Sequence, residues 1–280
     1  MPPFKKVFHF VFFLFATYLA ILLILRLLES RLIFFPNHPH RLDGDWKPAG
    51  LPIKEVSLTT SDGVKLHAWW IPADTATFTF LAFHGNAGNI THRAEVYAFL
   101  HQLPANVLAV EYRGYGRSEG TPSEDGLYQD ARAAYAFLVN EKRISPARLI
   151  PFGLSLGTSV AANLAAERLV GGVVLEAPFP SVRAVARKVY PFLPGLGWIA
   201  KSRFDTAAKL EMIRVPVLIV HCTQDPVIAF ELGEETFRHA QEPKSLLRIE
   251  GICHEEASLV APARYRAQLL AFLDDVSRQN

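Results

Sequence analysis

With only Cys222 and Cys253 in 280 residues, the chain is too poor in cysteine for a disulfide framework or a cysteine-rich metal site. Two thiols leave the redox compartment open, and the sequence reading takes them as free packing thiols in preference to a disulfide or a nucleophile. Neither sign of charge dominates: 29 basic residues face 27 acidic ones, a formal net charge of +2. No basic run is dense enough to follow a phosphate backbone, which argues against nucleic acid as a partner. What is present is apolar sequence, half of all residues, and a length that suits one α/β domain with a substantial core.

The apolar content is uneven. Residues 8–25 carry no charge and are mostly Phe, Leu, Ile and Val, between Lys5-Lys6 and Arg26. As a helix this run spans about 27 Å at 1.5 Å per residue, close to a bilayer hydrocarbon core. A single uncleaved membrane anchor over residues 1–30 is expected. The alternatives are a buried core helix, for which the run is long, and a signal peptide, for which a small-x-small cleavage site is wanting. Lys5 and Lys6 before the span favour a translocated globular part, although Arg26, Arg31 and Arg41 follow it. A linker rich in Pro, His and aromatic residues fills 31–50, and one globular α/β domain is expected over 51–280.

The rhythm of that domain is strand and helix. Residues 53–59 and 64–71 alternate around Ser61-Asp62-Gly63 and predict an edge hairpin. Buried strands are predicted at 78–83, 107–112, 149–152, 172–175, 215–221 and 246–250, with helices at 124–142 capped by Ser123, after 155, and at 265–276. That alternation implies a mostly parallel sheet with helices on both faces. The stretch 180–214, with YPFLPGLGW at 190–198, breaks the rhythm. It suits a small lid that supplies an apolar wall through Phe192, Leu193 and Trp198, or equally a crossover connection with its own minor core.

The chemistry centres on Gly153-Leu154-Ser155-Leu156-Gly157, where an apolar strand turns into an alanine-rich helix with no loop between. Serine on a strained strand-to-helix turn, with glycines two positions away on each side, is a nucleophile elbow, and Ser155 is the candidate nucleophile. Gly116-Arg117-Ser118-Glu119-Gly120 fits the same pattern but lies several residues past a strand, so Ser118 is read as part of a flexible surface turn. A serine hydroxyl needs a base held by a carboxylate. Asp225 and His254 follow late strands in the order Ser, Asp, His. Glu176, at the end of the preceding strand, is the alternative acid. His84-Gly85-Asn86 follows a central strand and places a backbone N–H at Asn86 which, with that of Leu156, would form an oxyanion hole. His84 itself is read as a structural hydrogen-bonding residue.

From Val56 to Val276 the chain resembles the membrane-anchored α/β-hydrolase-domain serine hydrolases whose first loop reads HGNxGN. The likeness lies in HGNAGN (84–89), EYRGYGRSEGTPSEDGLYQDA (111–131), GLSLGTSVA (153–161), HCTQD (221–225) and GICHE (251–255). This resemblance implies an α/β-hydrolase fold behind one transmembrane helix, a triad of Ser155, Asp225 and His254, and no metal or organic cofactor. It also implies hydrolysis of carboxylic ester or thioester bonds in small-molecule, lipid or acylated-protein substrates. A serine peptidase and a non-catalytic membrane-anchored binding protein are the rival readings. Two positions depart from the family: Cys222 stands where glycine is usual, and Glu255-Glu256 where Asn-Asp is usual.

Overall fold

A computed structural model of the protein describes residues 3–279. Free of interior Gly and Pro, the N-terminal apolar run forms helix α1 (Pro3–Ile33), long and apolar enough to cross a membrane by length and composition. Its most apolar window is only 6% buried. The next segment packs on the domain: Phe34 enters the core, Phe35 pairs with Ala87, and Arg41 donates to the carbonyls of Gly116 and Ser118.

The hairpin follows as β1 (Lys54–Thr59) and β2 (Lys65–Ile71), turned at Gly63 with φ +85°. Next come β3 (Phe78–Phe83), α2 (Ala94–His101), β4 (Ala105–Val110) and α3 (Glu124–Ala136). Then β5 (Leu149–Leu154) runs straight into α4 (Leu156–Glu167), and β6 (Val173–Glu176) follows. Three short helices, α5 (Val182–Val189), α6 (Leu196–Ile199) and α7 (Thr206–Leu210), fill the interval before β7 (Val217–Cys222). The chain closes with α8 (Phe230–His239), β8 (Lys244–Ile249), α9 (Ala257–Val260) and α10 (Pro262–Gln279).

One eight-stranded sheet has the order β1-β2-β4-β3-β5-β6-β7-β8. Strand β2 alone is reversed, antiparallel to both of its neighbours β1 and β4, since a tight turn joins it to β1; from β4 to β8 every pairing is parallel, and each parallel step needs a crossover. Because β3 to β7 are covered on both faces, their side chains are buried throughout. Two cores result, one with α3, α4, α7 and α8, the other with α2 and α10.

Sequence and structure differ locally. Pairing with β3 sets β4 two residues earlier than the apolar run suggests, with Phe78 opposite Ala105 and Phe83 opposite Val110. The helix capped by Ser123 loosens into a π turn over Phe137–Glu141, which still buries Phe137 and Leu138. Helix α2 carries Val96, Tyr97, Phe99 and Leu100 into the core; its eight residues are too short for a clear period. All the parallel strands end on one side, where the loops after β3, β5, β7 and β8 meet, as ligand sites do in open α/β sheets.

Candidate active site

Strand β5 delivers Ser155 to that edge at φ +50° and ψ −114°, a backbone conformation costing on the order of 1–3 kcal/mol for a non-glycine residue. The flanking glycines permit it. A Cβ at Gly153 would lie 2.4 Å from the Gly157 carbonyl oxygen, and one at Gly157 would lie 2.1 Å from that of Phe83. The Ser155 N–H donates to the Glu176 carbonyl at 2.9 Å, tying the elbow to the next strand. Leu156 opens α4, so its N–H has no helical partner and belongs to the positive end of the helix.

Past the end of β7, Asp225 is a hub. Its Oδ1 accepts the N–H groups of Val227 and Ile228, each at 2.8 Å. Its Oδ2 accepts His254 Nδ1 at 2.8 Å and lies 3.3 Å from Nε2 of the buried His221. Burial pushes this carboxyl up, but the bonds from His221 and His254 outweigh it and hold Asp225 below the usual carboxylate range. For His254, 15% exposed at the side chain, burial favours the neutral ring; the Asp225 bond and charge outweigh that and raise its pKa above the ordinary 6.5. Among the described residues no hydrogen bond joins Ser155 Oγ to His254, whose Nε2 remains available once Nδ1 is engaged.

Glu176 is elsewhere occupied. Its carboxylate accepts the Ala257 N–H and the Tyr265 hydroxyl, each at 3.0 Å, and burial pushes its pKa up to about 7 against those bonds. His84 is fully buried, with Nδ1 2.8 Å from the Gly85 carbonyl and Nε2 3.2 Å from Glu111. Its structural role follows from that enclosure. Ser118 differs from expectation: it is buried, donating to the Glu111 carbonyl at 2.8 Å and accepting the His67 N–H at 2.9 Å. Its loop is held down by Arg113, which bonds both Asp62 and Asp130.

The cysteines also correct the sequence reading. Cys222 and Cys253 form a disulfide with Cα atoms 5.6 Å apart, an ordinary separation. Parallel pairing of β7 and β8 sets Cys222 opposite Ile249, and the loop after β8 returns Cys253 over the end of β7. Glu255 forms a second tie: Arg93 donates to its Oε2 at 3.0 and 2.6 Å, while a Cβ on Gly85 would meet its Oε1 at 1.9 Å.

A cavity of about 470 Å³ lies against the elbow, within the usual range for small-molecule sites. Ser155, Leu156 and Asn86 line one end; Val182, Val185 and Leu193 form one wall. The opposite wall is unexpected: Leu25, Glu29 and Ile33 of α1. Asn86 is locked there, its side chain donating to the Ile33 carbonyl at 3.1 Å and its own carbonyl accepting from Phe35 N–H and Tyr115 O–H, each at 2.9 Å. Of the three aromatic and aliphatic residues expected to form a lid wall, Leu193 lines the cavity, but Phe192 and Trp198 are each 72% exposed. Sequence reasoning also missed His221 and Arg93, because a strand-end histidine and a helix-start arginine carry no spacing signal.

Comparison with known proteins agrees with the fold. A family model described as serine aminopeptidase, S33 matches residues 75–208. An uncharacterized protein of Mycobacterium tuberculosis is 35% identical over 235 residues, 83% of this chain and 82% of its own. The lysophosphatidylserine lipase ABHD12 of Danio rerio is 37% identical over 185 residues, covering 59% of this chain and 48% of its own. Among solved structures, the esterase Pf2001 of Pyrococcus furiosus superposes with a TM-score of 0.70 at 23% identity, over 86% of this chain and 97% of its own, a likeness of fold. Strand order, elbow and a relative matched along most of both chains point the same way, and the chain belongs to the α/β-hydrolase-domain family.

Proposed function

We propose that the protein is a membrane-tethered serine hydrolase of carboxylic esters or thioesters. The observation that carries this reading is the 2.8 Å Asp225–His254 hydrogen bond on the same sheet edge as the strained Ser155 elbow. Ser155 Oγ attacks the acyl carbonyl while His254 Nε2 takes its proton; Asp225 fixes the tautomer and stabilises the imidazolium. The N–H groups of Asn86 and Leu156 receive the developing oxyanion. His254 returns the proton to the departing alcohol or thiol, then deprotonates the water that releases the acyl enzyme.

Several observations support the rest of the reading. The cavity walls are aliphatic, which suits an acyl chain, and the names of the lipase and esterase relatives accord with that. A peptidase is favoured by the description of the matching family model. Against an aminopeptidase, the acidic residue in the cavity lining, Glu29, is spent on Arg26 and on two backbone N–H groups instead of being free to bind a substrate ammonium. Helix α1 is read as the anchor, with 180–214 as the insertion over the site, and the Cys222–Cys253 disulfide favours a translocated domain because such bonds persist in oxidising compartments.

The test is a fluorophosphonate probe with a panel of p-nitrophenyl esters on detergent-solubilised protein. Labelling and turnover lost in Ser155→Ala and His254→Ala but kept in Ser118→Ala are expected. Loss confined to Ser118→Ala would assign the wrong serine, and no labelling of folded wild type would favour a binding scaffold.

A further inference from the structure

Helix α1 does more than precede the domain; it is docked to the insertion along one stripe. Tyr18 donates its hydroxyl to the Pro194 carbonyl, Leu22 is buried beside Gly195, and Glu29 accepts the N–H groups of Lys201 and Ser202 at 2.7 and 2.6 Å. Positions 18, 22, 25 and 29 share one helix face. Tyr18 lies about 10 Å along the axis before Leu25, the last residue of the uncharged run. A segment held against Tyr18 is therefore at hydrocarbon depth if α1 spans the bilayer.

That segment is built for the place. Val189, Tyr190, Phe192 and Trp198 are 47%, 46%, 72% and 72% exposed, an apolar burden that water does not favour. Cations flank them: Arg183 stacks on the Trp198 ring at 3.3 Å, and Arg187 and Lys188 end α5. Exposed aromatic residues beside basic ones match the composition of a membrane interface.

We infer that residues 190–199 are a second membrane contact, inserted into the same leaflet as the C-terminal half of α1, so that the cavity between them takes the aliphatic chain of its substrate directly from the bilayer. This rests on the tethered serine-hydrolase reading. The occupant of the exposed tip is lipid hydrocarbon, and the cavity leads from that leaflet to Ser155 between Leu25 and Ile33 on one side and Val185 and Leu193 on the other.

Full-length protein is reconstituted into phosphatidylcholine vesicles containing chain-brominated lipid, and tryptophan fluorescence is compared between wild type and Trp198→Phe. The difference signal is expected to be quenched by bromolipid and shielded from aqueous acrylamide. Acrylamide access without bromolipid quenching overturns the inference, as does shielding from both, which would assign the tip to a protein contact. A kinetic arm uses Phe192→Asp, normalised to fluorophosphonate-labelled protein. The rate on a long-chain ester embedded in vesicles is expected to fall on the order of 100-fold, the scale of placing a carboxylate in hydrocarbon, with hydrolysis of soluble p-nitrophenyl acetate unchanged. Equal loss on both substrates, or loss on neither, refutes it. Resistance of wild type to carbonate extraction and Ser155-dependent labelling test the underlying reading separately, and the quenching arm needs no turnover.

Discussion

Reducing the Cys222–Cys253 bond should cost both stability and rate. The bond spans a sequence separation of 31, for which loop-closure entropy gives about 3.7 kcal/mol at 25 °C. In a domain of this size each kcal/mol moves the melting temperature by roughly 2–4 °C, so a fall of about 7–15 °C is expected. The site suffers with it, because Asp225 is three residues past Cys222 and His254 directly follows Cys253. Loosening the bond frees the two loops that hold the 2.8 Å Asp225–His254 contact. Misplacement of a catalytic group by about 1 Å costs on the order of 10²-fold, which sets the expected loss in kcat. Thermal melts and p-nitrophenyl ester kinetics with and without phosphine reductant provide the measurement. Because both sulfurs are buried, reduction is carried out under mild denaturant that is then removed. The Cys222→Ser/Cys253→Ser variant should match the reduced protein and ignore reductant. Two free thiols on titrating the unfolded, unreduced protein would refute the argument, as would a melting temperature indifferent to reductant.

Asp225→Asn should lower kcat by about 10⁴ by leaving His254 in the wrong tautomer. Since the base must be unprotonated and Asp225 holds the His254 pKa above 6.5, the acid limb of kcat/KM in wild type should lie above that pH and move down in the variant; an unmoved limb in a pH series would contradict the pairing. Glu176→Gln is a stability test. Its carboxyl titrates at about 7 in the fold against 4.5 for the free group, so the native state gains protons relative to the unfolded chain. The associated stability is fully present below about 4.5 and is lost as pH rises through 7, on the order of 3 kcal/mol in all. Melting curves of wild type and variant should diverge across that window, and parallel curves would show that Glu176 is not the titrating group.

The parts of the fold with strong local signals were legible from residues alone. Continuous apolar runs announce β3, β5 and β7, and the two glycines around Ser155 announce the elbow because their Cβ atoms would strike backbone. The boundaries of β4 were not legible, being set by its register with β3. Nor was the burial of Ser118, since Arg113 reaches Asp62 and Asp130 only in three dimensions. The disulfide was hidden for a similar reason: spacing says nothing of the parallel β7–β8 pairing that brings Cys253 over Cys222. Least visible of all was the part played by α1, whose sequence speaks of a membrane and not of Asn86.

The two departures from the family pattern acquire a common meaning in the structure. Cys222, in place of a glycine, gives Cys253 its partner; Glu255, in place of an asparagine, gives Arg93 its carboxylate. One tie lies immediately before His254 and the other immediately after it, so the loop carrying that histidine is fixed on both sides to different parts of the sheet edge. Arg93 also donates to the Ala87 carbonyl at 2.8 Å, which joins the His254 loop to the loop holding Asn86. Asn86 in turn is bonded to the last carbonyl of α1. The His254 loop, the Asn86 loop and the end of α1 thus form one connected chain of contacts. A perturbation at the end of α1 has a short physical path to His254, through Asn86, Ala87, Arg93 and Glu255, and the candidate anchor is a structural member of the site as well as a tether.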